Sequence, residues 1–211
     1  LTAKIELTEI TVTKEWQDSN DQDGIRPLSI EVILKNETTE VDRATLDDSN
    51  KWTHTFANLP KYQNGAEIQY SVTETQVPSY TSQSSGTADT GYIITNSYTP
   101  ETTEVKVNKI WNDHDDLDKI RPPQITVNLL ADGTKVEGKT LTLDQKNNWS
   151  DSFKDLPKYR DEGIEIIYTI EEVVPEGYEA QITENQKNDY TITNTHKIFD
   201  LSLRKYITKV N

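Results

Sequence analysis

The 211-residue chain has no cysteine and no methionine. Without cysteine, a disulfide framework and a thiolate metal site are both excluded. Extracellular domains often carry a covalent staple, and here sulfur cannot supply one. Long apolar runs are also missing. Nothing approaches the roughly 18 residues of a membrane-spanning helix, and no signal-peptide pattern opens the sequence. Positive charge is scarce: 22 Lys and Arg stand against 36 Asp and Glu, for a net charge of −14. Such a chain repels phosphate backbones, which argues against a nucleic-acid partner. The acidic residues are scattered, as they are where charge serves solubility. The sequence begins in mid-strand, as an excised piece would, and targeting or anchoring segments would then lie outside it.

What is present has the period of strands. Ile30–Leu34, Glu67–Val72 and Ile125–Leu129 alternate or run apolar over short lengths. Asp23-Gly24, Asn64-Gly65 and Asp132-Gly133 punctuate them as turns. Thr, Val, Ile and Tyr are plentiful, and no amphipathic helix stands out. Many short strands between regular turn signals predict an all-β chain of antiparallel sandwiches.

The chain repeats itself. Val12-Thr13-Lys14-Glu15-Trp16 returns as Val107-Asn108-Lys109-Ile110-Trp111, 95 positions on. Ile25-Arg26-Pro27 returns as Ile120-Arg121-Pro122, and Leu59-Pro60-Lys61-Tyr62 as Leu156-Pro157-Lys158-Tyr159. Tyr70–Tyr80 matches Tyr168–Tyr178, and Ile94-Thr95-Asn96 matches Ile192-Thr193-Asn194, 98 positions on. The period is too long for a solenoid unit and suits a small sandwich. It predicts two tandem domains, 1–98 and 104–197, joined by a short, proline-stiffened linker at 99–103. Residues 198–211 read as the start of a further, truncated domain or as a linker.

Three polar residues per repeat fall on apolar faces. Side chains alternate along a strand, so Lys14 shares a face with Ile10, Val12 and Trp16. Glu74 shares one with Tyr70 and Val72, and Asn96 one with Tyr92 and Ile94. Lys109, Glu172 and Asn194 repeat the arrangement. If these were edge strands, the three groups could face solvent. If they point inward, burial is expensive, because breaking a buried ion pair costs about 3–5 kcal/mol. An amide bond would remove that cost. Burial lowers the pKa of lysine and raises that of glutamate, so a proton can pass between them. The neutral Lys14 amine is then a nucleophile. A protonated Glu74 can polarise the Asn96 carboxamide and stabilise its oxyanion. The folded core supplies the effective concentration. Ammonia leaves, and an isopeptide bond joins first and last strands. The same holds for Lys109, Glu172 and Asn194. Because the reaction consumes its own asparagine, it occurs once per domain and is not enzyme turnover.

The run Asn20–Pro27, the Leu-Pro-Lys-Tyr segment, Tyr70–Glu74 with Val77–Tyr80, and Ile94–Tyr98 resemble the B-type repeats of the collagen adhesin, the Cna B-type domains. The resemblance spans about residues 9–197 and recurs in both copies. It implies reverse-immunoglobulin-like sandwiches, each with an intramolecular Lys–Asn bond assisted by Glu. It also implies a stalk or spacer in a Gram-positive, cell-wall-anchored surface protein, whether adhesin or pilin-like. Expected partners are neighbouring domains of the same protein, and host extracellular matrix reached through domains outside this sequence. The fragment is expected to be a monomer without membrane contact. An adhesive module binding a matrix protein or glycan is the alternative. The second copy departs in loops only, with Lys119 in place of Gly24 and no glycine at the spacing of Gly65.

Other constellations carry less. Asp18–Gly24 and Asp113–Asp118 are acidic, but setting Gly24 sixth in a calcium loop puts Ile30 at the twelfth position, where glutamate is needed. They read as solvated loops. His54, His114 and His196 occupy unrelated repeat positions, so no metal site and no cofactor is expected. Trp16, Trp52, Trp111 and Trp149 form two repeat pairs and read as core packing rather than as a sugar-stacking platform.

Overall fold

The computed structural model describes residues 5–197. They divide into two compact units. One runs to Glu101 and includes Tyr159–Glu165; the other comprises Thr102–Lys158 and the residues from Ile166 onward. The further strand expected over 198–211 lies outside the described residues.

The first unit contains β1 (Leu7–Gln17), β2 (Ser29–Asn36), β3 (Thr39–Asp47), β4 (Thr53–Pro60), β5 (Tyr62–Gln63), β6 (Ala66–Glu67), β7 (Tyr70–Glu74), β8 (Thr81–Thr87) and β9 (Gly91–Ser97). One sheet has the order β4-β1-β9-β8 and the other β3-β2-β7. Their inner faces share one core, including Ile10, Val12, Val32, Leu34, Phe56 and Ile94. The second sequence repeat supplies β10 (Thr102–Asn112), β11 (Gln124–Ala131), β12 (Thr134–Asp144), β13 (Ser150–Pro157), β14 (Tyr159–Arg160), β15 (Ile164–Glu165), β16 (Tyr168–Glu172), β17 (Glu179–Gln186) and β18 (Asp189–Thr195), of which β14 and β15 fall within the first compact unit. Its sheets run β13-β10-β18-β17 and β12-β11-β16.

The expected all-β sandwiches are present, with one addition. The first and last strands of each unit, β1 with β9 and β10 with β18, run parallel, while the other ladders are antiparallel. Parallel neighbours need a long crossover, and here the rest of the unit provides it. The chain thus enters a unit at one pole of this pair and leaves at the other. All four strands are interior to their sheets, which rules out an edge position for Lys14, Asn96, Lys109 and Asn194.

The strand expected over Glu67–Val72 is broken. Glu67 pairs with Tyr62 in a two-residue ladder, whereas Tyr70 starts a new ladder opposite Asn36. The chain changes partner at Ile68 and Gln69. Two tyrosines secure the new strand: Tyr70 donates its hydroxyl to the Pro60 carbonyl at 2.8 Å, and Tyr92 donates to the Tyr70 carbonyl at 2.7 Å.

Candidate functional site

Strand parity carries Lys14 inward with Ile10 and Val12. Its backbone is anchored at a strained point. The Lys14 amide donates to the Trp52 carbonyl at 2.8 Å, and both Lys51 (φ 55°) and Trp52 (φ 58°) are left-handed. Left-handed backbone at a bulky residue costs on the order of 1–3 kcal/mol, so it persists only where surrounding contacts impose it. The second unit repeats the device, with Lys109 donating to Trp149 at 2.8 Å and with Asn148 (φ 53°) and Trp149 (φ 56°) left-handed.

β9 lies beside β1 with Trp16 opposite Asn96 and Lys14 opposite Ile94. Lysine and asparagine are therefore diagonal neighbours on one inner face. β7, at the end of the other sheet, supplies Glu74 across the core. Lys14 Nζ lies 3.3 Å from Glu74 Oε1, with the two side chains 0% and 2% exposed. Asn96 donates through Nδ2 to the same Oε1 at 3.2 Å. In the second unit Lys109 Nζ lies 3.4 Å from Glu172 Oε1, and Asn194 donates to that oxygen at 2.9 Å. The six residues singled out by sequence parity form two buried three-residue clusters.

The protonation balance follows from burial. Desolvation brings the Lys14 and Lys109 amines down to about 8, opposed by the attraction of Glu74 and Glu172 respectively. Burial raises Glu172 against the opposing pull of Lys109. Each cluster also holds two unpartnered oxygens: Glu74 Oε2 and Asn96 Oδ1, and Glu172 Oε2 and Asn194 Oδ1. Unpaired buried polar atoms cost about 1–3 kcal/mol each. A carboxamide turned by half a rotation offers Oδ1, not Nδ2, to the glutamate. Once protonated, the glutamate donates to that oxygen. One proton transfer and one amide rotation would thus pair the amide oxygen and leave lysine neutral.

The loops following β1 and β10 correct the sequence reading. They contain buried carboxylates, Asp18 and Asp113 at 2% exposure each and Asp23 at 8%. Ser19, Asn20 and Asp21 wind left-handed, and so do His114, Asp115 and Asp116. This coil tucks Asp18 beneath its own loop, where the Asp21 amide reaches its Oδ1 at 3.0 Å. Arg26 grips the carboxylate with Nε at 3.0 Å and Nη2 at 2.6 Å, and Tyr80 donates its hydroxyl at 2.9 Å. Burial works to raise the Asp18 pKa, but the hydrogen bonds from Arg26, Asp21 and Tyr80 hold it below the usual range. Asp113, Arg121, Asp116 and Tyr178 repeat these contacts. The signal was in the sequence: Asp18 and Arg26 recur as Asp113 and Arg121 at a single offset.

Within each unit a tryptophan lies between the lysine cluster and the aspartate–arginine cluster. Trp16 packs edge-on against Trp52 and Tyr80, at 5.3 and 5.0 Å between ring centres. All four tryptophans are half-buried and pack against the core of their repeat, in keeping with the packing role read from the sequence. Lys14 Nζ lies 4.4 Å from the centre of the Trp16 ring, and Lys109 Nζ 4.3 Å from that of Trp111.

Parallel first and last strands and a buried lysine–glutamate–asparagine cluster recur in both units, which defines the chain as a tandem repeat of one sandwich type. The chain belongs to the Cna protein B-type domain family, whose profile matches residues 10–97 and again 105–195. It is 44% identical over 191 residues to the collagen adhesin of Staphylococcus aureus, a match covering 90% of this chain and 16% of that adhesin. It also resembles the crystal structure of two B repeat units of the collagen-binding protein of S. aureus, with 42% identity and a TM-score of 0.80, over 90% of this chain and 50% of that one. The chain therefore spans about a sixth of the adhesin's length and half of the two-repeat structure.

Proposed function

We propose that the chain is a pair of stalk or spacer modules, repeats 1–98 and 104–197, from a surface protein associated with a Gram-positive cell wall. Each is closed by an amide bond that it forms itself. The observation that carries this reading is the buried cluster in each unit, set between its first and last strands. Lys14 Nζ attacks Asn96 Cγ. Glu74 takes a proton from the attacking amine and returns it to the departing nitrogen, which leaves as ammonia. The Lys109 amine, the Asn194 carboxamide and Glu172 react in the same way. A neutral amide replaces a buried charge pair, so the burial cost of the unreacted core becomes a driving force for its closure.

The strand geometry suits a load-bearing role. A pull on the two ends of a unit enters along β1 and leaves along β9, which lie side by side and parallel. A bond between them shunts that load past the rest of the fold. Its partners are neighbouring domains of the same protein.

Intact-mass measurement tests the reaction. The expected mass is that of the sequence less two ammonia molecules. Glu74→Ala and Glu172→Ala should each restore one. The full unreacted mass in the folded wild-type chain would sink the reading. The adhesin's name raises a second possibility, that these modules themselves bind collagen. Saturable binding of this fragment to immobilised collagen would replace the spacer role with an adhesive one.

A further inference from the structure

Arg26 and Arg121 have no part in the amide chemistry above, yet each is packed against the indole that lies on the lysine amine. Arg26 reaches inward from a partly exposed position to a carboxylate whose side chain is only 1% exposed. Every oxygen of that carboxylate is engaged, by Arg26 Nε and Nη2, the Tyr80 hydroxyl and the Asp21 amide. The Arg26 guanidinium lies 5.4 Å from the Trp16 ring centre, and Tyr80 stands edge-on to the same ring at 5.0 Å. That indole is also the ring against the Lys14 amine. In the second unit Arg121 is 5.4 Å from the Trp111 ring and Tyr178 is 4.9 Å from it, with Lys109 Nζ on the same indole.

We propose that Arg26 and Arg121 are positioning residues for the lysine–asparagine reaction, acting through Asp18 with Trp16 and through Asp113 with Trp111. The inference rests on the cross-linking function proposed above. The arginine has two effects. It holds the carboxylate and tyrosine that brace the indole, which keeps water from the amine. It also cancels the one charge among the described residues, besides the glutamate partner, that works against a neutral amine. Asp18 pulls on the Lys14 proton and Asp113 on that of Lys109, both in the direction that favours ammonium. The groups acting on each amine are thus Glu74 and Asp18 in one unit, and Glu172 and Asp113 in the other. With the arginine charge gone, a buried bare carboxylate would hold the proton on the nucleophile.

The test uses the full chain, prepared and kept unfolded in denaturant so that neither site has reacted. It is diluted into folding buffers across a pH series, quenched with acid at intervals and weighed, and each ammonia loss is assigned to its unit by peptide mapping. In Arg121→Gln the first unit is an internal reference. The pH midpoint for ammonia loss from the second unit should rise by about one unit, giving roughly tenfold slower reaction at neutral pH. Arg121→Lys, which keeps the charge, should leave the midpoint near that of the wild type. Asp113→Asn/Arg121→Gln removes the uncompensated carboxylate and should return the midpoint to the wild-type value or below. A purely structural role would slow the reaction without moving the midpoint, so an unmoved midpoint in a folded Arg121→Gln chain overturns the proposal. If Arg121→Gln does not fold, the double variant decides, and a raised midpoint there overturns it. If the wild-type chain folds without losing ammonia, the cross-linking reading itself fails. Loss from both wild-type units with an unmoved Arg121→Gln midpoint fails only the positioning role.

Discussion

At the scale of single residues, the two repeats differ most tellingly where each chain leaves its sandwich. In the first unit Tyr98 donates its hydroxyl to Asp23 at 2.8 Å. In the second, His196 takes the equivalent place, with Nδ1 2.7 Å from the Gly177 carbonyl and Nε2 3.0 Å from Asp118. Both neighbours are acceptors, so only the doubly protonated ring satisfies both. The Gly177 carbonyl, then Asp118, raises the His196 pKa. A raised pKa means the folded state holds the proton more tightly. The stabilisation is therefore complete below the unfolded value of about 6.5 and is lost as pH climbs through the folded value. Thermal melts of the second unit should show this decline, with its midpoint matching an NMR titration of the His196 ring. His196→Tyr should abolish it. The six residues of the buried clusters were legible from parity because the repeat states the pattern twice. Asp18 and Asp113 were not, because a carboxylate in a run rich in Asp, Asn and Gly looks like a solvated turn. Only the left-handed coil, which no local pattern announces, folds it under the loop.

At the scale of elements, the sandwich was visible in the sequence but its strand directions were not. Inward and outward alternation is the same whichever way a neighbour runs, so parity cannot distinguish parallel from antiparallel pairing. The break between β6 and β7 was hidden for a similar reason, since the apolar pattern continues through a change of partner. The tyrosines that secure that change are a testable joint. Tyr168→Phe removes the hydroxyl that reaches the Pro157 carbonyl at 2.8 Å. It should destabilise the second unit by about 1 kcal/mol in a denaturant titration. Leu129, fully buried on β11, carries a heavier load. Leu129→Ala should cost about 2–5 kcal/mol, depending on how far the core collapses around the cavity.

At the scale of the whole molecule, the proposed bonds each close a loop of about eighty residues, and the chain-entropy account credits such a closure with roughly 4–5 kcal/mol before strain. Asn194→Ala should lower the stability of the second unit by that order while leaving the first unchanged. Pulled end to end in a force spectrometer, the wild-type chain should show no unfolding extension from either unit, and Lys109→Ala should release the second alone. The parallel pairing of first and last strands has one more consequence, in time rather than in space. β1 and β10 are made early, yet each lacks its central neighbour until the end of its unit has been synthesised. Contacts so distant in sequence make folding slow. They also give it an order: a unit cut short before β9 or β18 has no asparagine to offer and no strand to hold it. The proposed closure would thereby be withheld from any incomplete copy, and its covalent seal would record that the whole unit was made.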